Sequence, residues 1–113
     1  MAQDATSAAP SPAPVPTQAL ELPRFDADYL HNPAPIYPPM SRRLREQGTV
    51  TLRVRVTPDG RATQVEVRES SGYPRLDKAA EESVRRWRFV PARQGGQTVA
   101  AWVLVPISYS IRS

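Results

Sequence analysis

From residue 48 onward the chain alternates between apolar and polar positions. In "GTVTLRVRV" Val50, Leu52, Val54 and Val56 fall on one side of an extended chain, and Thr49, Thr51, Arg53 and Arg55 fall on the other. That pattern predicts a half-buried antiparallel strand. The next four residues, "TPDG", predict a turn, because Pro58 presets φ, Asp59 bonds to its own backbone and Gly60 accepts positive φ. A second alternating run, "RATQVEVRES", then returns with Val65 and Val67 inward, so the two runs form a hairpin.

The period lengthens from two to 3.6 in "SSGYPRLDKAAEESVRRWRF", where Leu76, Ala80, Val84 and Trp87 share one stripe and Pro74 opens the first turn. The charges agree with a helix. Asp77 lies near its positive end and Arg85, Arg86 and Arg88 near its negative end, with Glu81–Arg85 and Glu82–Arg86 spaced as favourable pairs. Upstream, "PMSRRLREQ" predicts a shorter helix of about two turns, with Met40 and Leu44 on its apolar side and Gly48 as its stop.

The final run, "VAAWVLVPISYS" at residues 99–110, is apolar on both faces. A strand covered on one side needs apolar residues only at alternate positions. Pro106 cannot donate to a ladder and places this strand at a sheet edge or a bulge. A long apolar edge is covered or used. Two arrangements satisfy it: both faces pack, one on the helices and the other on residues 33–39 or a second copy, or a partner's extended peptide adds as a strand. The order helix, strand, strand, helix, strand predicts an α+β two-layer sandwich, a three-stranded antiparallel sheet with two helices on one face.

Composition sets the boundaries. The chain has 113 residues, enough for one domain, and nine of its 13 prolines fall at or before residue 39. Residues 1–31 read as a proline-rich disordered linker that adds nothing to stability, leaving 32–113 as the domain. Charge divides the same way. Residues 1–31 carry Asp4, Glu21, Asp26 and Asp28 against Arg24, so the basic excess, +4 over the whole chain, belongs to the folded part.

That excess permits nucleic-acid or anionic-surface binding. Arg53, Arg55 and Arg68 would form one basic sheet face, but a single-strand platform needs exposed rings for stacking, and the two hairpin strands contain none. Catalytic chemistry finds little material. With no cysteine there is no disulfide, thiolate zinc site or cysteine nucleophile. The single histidine, His31, lies in the expected linker, and the acidic residues read as solvated surface. The expectation is a non-enzyme without cofactor or metal. Gly95 and Gly96 read as a flexible turn, since no helix start follows for a phosphate loop. No stretch reaches transmembrane length, and the N-terminus lacks the charged and apolar regions of a signal peptide, so the chain as given is expected to be soluble.

Over residues 33–111 the sequence resembles the periplasmic C-terminal domain of TonB. The resemblance rests on "YPPMSRRLREQGTVTLRVRV", "TPDG", "SSGYPRLDKAA" and "RRWRFVPA" standing in family order and spacing, behind a proline-rich spacer. It implies a periplasmic module of a protein held in the inner membrane by an N-terminal helix. Such a protein works with the ExbB–ExbD motor and grips the "TonB box" of outer-membrane transporters for siderophores or other nutrients. The family pairs its last strand with the box and touches transporters with the segment before the first "YP". Carried over, these positions are Ala100, Ala101, Trp102, Val103, Leu104 and Val105, and Pro33, Ala34, Pro35, Ile36 and Tyr37. Some members place glutamines in the latter segment, where this chain reads "NPAPIYP". The alternatives are a similar module in another envelope assembly, a weak homodimer across the last strand, or a basic nucleic-acid-binding domain.

Overall fold

The computed structural model describes residues 19–27 and 30–111. Its elements in chain order are β1 (Leu20–Glu21), α1 (Pro39–Arg43), β2 (Gly48–Val56), β3 (Ala62–Glu69), α2 (Pro74–Arg85), β4 (Ala92–Gln94), β5 (Gln97–Val99) and β6 (Ala101–Tyr109). The fold is α+β, with two helices and two three-stranded antiparallel sheets, ordered β3-β2-β6 and β1-β4-β5.

β2 is the centre of the larger sheet. Val54 stands opposite Val65 of β3 and Val103 of β6, and Leu52 stands opposite Val67 and Val105. The inward row Val50, Leu52, Val54 and Val56 is fully buried against Leu76, Ala80 and Val84 of α2, all at 0% exposure. Each valine or leucine so removed from water contributes about 1.5–3 kcal/mol. The turn at residues 57–60 closes as its sequence predicts: the Gly60 amide donates to the Thr57 carbonyl at 2.9 Å, with φ of 87° at Gly60. Gly60 also lies under Phe89, where a Cβ would sit 2.3 Å from the Phe89 carbonyl oxygen.

α2 begins at Pro74 and is tied at its start by Asp77. The Asp77 carboxylate accepts from the Ser71 amide at 2.9 Å, from the Ser71 hydroxyl at 2.8 Å and from the Ser70 hydroxyl. Burial works to raise the carboxyl's pKa, but the bonds from Ser70 and Ser71 outweigh it and hold the group below the usual carboxylate value.

Several sequence expectations change. First, the described part of the expected linker joins the fold: β1 pairs with β4, the Arg24 amide donates to the Val90 carbonyl at 3.0 Å, and Phe25 packs on the core. The boundary at residue 31 is therefore too late, while residues 1–18 lie outside the described residues. Second, α1 is rolled. Met40 and Leu44 are exposed and the small Ser41 is buried. A five-residue helix takes its orientation from its flanks, here Tyr37, whose hydroxyl donates to the Glu46 carbonyl, and Glu46, whose amide donates to the Ser41 carbonyl. Third, the expected single sheet is joined by a second, β1-β4-β5, in which Gly95 and Gly96 make the turn expected of them, with φ of 59° and 81°, between β4 and β5. In β3, Val65 is buried as expected, whereas Val67 is 39% exposed.

Candidate functional site

β6 is an edge strand. It pairs with β2 along its whole length without a register break, Gly48 opposite Tyr109 through Val56 opposite Ala101, and no strand among the described residues covers its other side. The apolar stretch is interrupted at Ala100, which separates β5 from β6. Ala101, Val105, Ile107 and Tyr109 are buried inward, so Trp102, Leu104, Pro106 and Ser108 face outward.

Pro106 also fixes which backbone groups are free. In an antiparallel pair, alternate residues turn both N–H and C=O toward the partner strand, and those between turn both away. Pro106 stands opposite Thr51 in an unbroken ladder, and a residue lacking N–H belongs where that group would point away. By the same parity Trp102 and Leu104 present N–H and C=O to the open edge, and Ala101, Val103 and Val105 bond inward to β2.

The outward side chains add a second feature. Arg53 of β2 lies opposite Leu104, and its guanidinium sits over the Trp102 ring, 3.8 Å from the centroid. Arg55 approaches the same ring at 5.7 Å. A hollow of about 350 Å³ beside the edge is lined by Leu22, Arg53, Arg68, Trp102, Val103 and Leu104. Its walls mix three arginine and tryptophan side chains with exposed aliphatic ones, Leu22 at 59% and Leu104 at 49%. Such a surface suits a strand carrying apolar and acidic side chains.

Residues 33–111 match the family model for the Gram-negative bacterial TonB protein C-terminal region. The chain belongs to the TonB family. It is 46% identical over 89 residues to the protein tonB2 of Pseudomonas aeruginosa, a match covering 79% of this chain and 33% of that protein. Against the TonB protein of Xanthomonas campestris it is 39% identical, covering 68% of this chain and 34% of the relative. The chain thus spans about a third of the length of these relatives. Among solved structures it superposes on the Pseudomonas aeruginosa TonB CTD with a TM-score of 0.63 at 28% identity, over 74% of this chain and 85% of that one. The Helicobacter pylori TonB-CTD shares the fold with a TM-score of 0.54 at 22% identity, over 70% of this chain and 71% of that one.

The two groups of positions carried over from the TonB family lie apart. Trp102, Val103 and Leu104 line the hollow beside the open edge, whereas Ala101 and Val105 have buried side chains and bond inward to β2, so they offer a partner neither side chain nor free backbone. Ala100 is exposed at the junction of the two sheets. Ile36 lines a different hollow on the helical side, with Pro38, Pro39, the α2 residues Ala79, Glu82 and Ser83, and Arg86 just past the helix. Pro33 accepts a bond from Trp87 Nε1 at 2.9 Å through its carbonyl, Ala34 is exposed and Pro35 is half-buried. Tyr37 packs edge-on to Tyr109 with ring centroids 5.1 Å apart. Tyr37 is thus a structural anchor as well as part of the segment. Burial, followed by the neighbouring Tyr37, pushes the Tyr109 hydroxyl up to about 12.

Sequence reasoning missed Leu22, Arg53 and Arg68 as walls of the edge hollow. It also treated the arginine face as lacking an aromatic ring, but the third strand supplies Trp102 to that face. The signal was present: strict alternation around buried Ala101 turns Trp102 toward the side of the sheet occupied by Arg53 and Arg55.

Proposed function

We propose that this domain is the transporter-gripping end of a TonB energy transducer, working in the periplasm and binding the box segment of an outer-membrane transporter by strand addition along Trp102–Leu104. The observation that carries the proposal is the uncovered edge of β6, whose parity leaves paired N–H and C=O groups at Trp102 and Leu104 facing outward. Backbone pairing lets one module serve several transporters, since the main chain is common to all boxes. Several hydrogen bonds loaded together along paired strands also resist a pull better than the same bonds yielding singly. In the intact protein, a membrane anchor and the ExbB–ExbD motor would supply that pull for uptake of siderophores or other nutrients. The segment Pro33–Tyr37, on the helical side, would contact a transporter separately from the box.

Titration of isotope-labelled domain with transporter box peptides tests this reading. Amide shifts are expected along residues 101–105 and the facing part of β2, with affinity of about micromolar because the peptide loses conformational freedom on binding. Shifts confined to α2 and residues 33–39, or concentration-dependent shifts along β6 without peptide, would replace it with a helical-side site or a homodimer. A nucleic-acid platform is the second reading, favoured by the Trp102 ring among arginines; it requires affinity that falls steeply with salt.

A further inference from the structure

The Arg53–Trp102 pair lies beside the open edge and carries charge toward it. Neighbouring strands lie about 4.8 Å apart, so a side chain standing straight up from β2 would end two strand spacings from a partner added to β6. Arg53 is nevertheless tied to the edge strand: its guanidinium covers the Trp102 ring, 3.8 Å from the centroid, which holds its charge against an edge-strand side chain. The carboxylate in ion-pair range of Arg53 is Glu66, at a long 3.4 Å with both side chains well exposed, and such a pair holds an arginine weakly. Arg55 and Arg68 make no ion pair among the described residues. The face beside the edge therefore carries positive charge with one weak internal partner.

A strand added to β6 sends every second side chain onto this face, spaced about 6.6–6.8 Å apart. One of these stands beside Trp102 and the Arg53 guanidinium that covers it, and the next beside Leu104, with Leu22 lining the same hollow. Resting on strand addition as proposed above, we infer that the Arg53–Trp102 pair reads an acidic side chain on the partner strand, with Leu22 and Leu104 receiving an apolar one two positions away. The edge supplies attachment through the backbone, and this pair supplies selectivity. Arg53 and Arg55 are accordingly part of the recognition surface and not merely the wet side of a sheet.

The test uses the full chain and capped heptapeptides covering a transporter box, with glutamate or glutamine at each alternate position in turn. Wild type is expected to prefer glutamate at one position by about threefold to fivefold at low salt, declining as salt rises. Arg53→Gln should abolish that preference, so that the glutamate and glutamine peptides bind it equally, and Trp102→Leu should reduce it by freeing the guanidinium. Lys78→Gln, which removes an exposed charge on α2, should keep it. Equal binding of both peptides at every position overturns the inference and leaves strand addition standing. If neither peptide shifts the amides of β6, strand addition falls and takes the inference with it. Displacement of bound peptide by a short oligothymidine, with affinity lost in Arg53→Gln, overturns it in favour of a nucleic-acid surface.

Discussion

The rings of Phe25 and Trp87 stack with centroids 5.9 Å apart and planes inclined by 22°, joining the proline-rich N-terminal segment to the residues that follow α2. Trp87 also tilts against Phe89 at 6.5 Å and donates Nε1 to the Pro33 carbonyl, so one indole holds three parts of the chain. Phe25→Ala is expected to cost about 1–2 kcal/mol, a fall in Tm of roughly 5–10 °C. Trp87→Ala should cost about 3–5 kcal/mol and unfold the domain. Thermal melts of chains beginning at residue 19 and at residue 28 isolate the same contribution; identical melts would mean that β1 and Phe25 add nothing.

The Tyr109 hydroxyl is buried without a hydrogen-bond partner among the described residues. With its pKa raised to about 12, the folded state favours the neutral phenol. That stabilisation is complete below the ordinary tyrosine value near 10 and is lost as pH rises through about 12. Wild type should therefore lose stability between these values more steeply than Tyr109→Phe. At neutral pH the phenylalanine variant should melt within a degree or two of wild type, because it keeps the edge contact with Tyr37 and removes only an unpaired group. A large loss at neutral pH would show that the hydroxyl has a partner.

Asp77 gives the opposite pH dependence. Its carboxyl lies below the usual value near 3.8, so its contribution is present above that pH and disappears as pH falls through the lower folded value. Asp77→Asn should cost about 1 kcal/mol at neutral pH and flatten the acid limb of the melting curve. An unchanged acid limb would mean that the bonds from Ser70 and Ser71 do not depend on the charge.

Long periods were legible in the sequence and short elements were not. β2 and α2 repeat their patterns over nine and 12 residues, and their predicted inward rows, Val50 to Val56 and Leu76 to Val84, are fully buried. β1, β4 and β5 have two or three residues each, too few to show a period, and Leu20 and Glu21 lie among prolines that suggest a linker. Pro106 marked the edge from sequence alone. The contact of Arg53 with Trp102 depends on register, and alternation tells which face a side chain takes without telling what stands beside it.

Register and parity together decide which proline substitution tests the edge. Leu104 directs its N–H outward, so Leu104→Pro removes one edge donor and keeps the ladder with β2. Val103 directs its N–H to β2, opposite Val54 in the middle of the core sheet, so Val103→Pro removes an internal bond and should cost about 3 kcal/mol or more. Loss of the Leu104 side chain is controlled by Leu104→Ala, which retains the donor. If a box peptide pairs with this edge, Leu104→Pro should bind about tenfold more weakly than Leu104→Ala, the effect of one hydrogen bond with its partner group left unpaired, while both variants keep a folded circular dichroism spectrum. Equal affinities for the two would remove backbone pairing at Leu104 from the mechanism. A stable Val103→Pro that has lost binding would reverse the parity and move the outward donors to Ala101, Val103 and Val105.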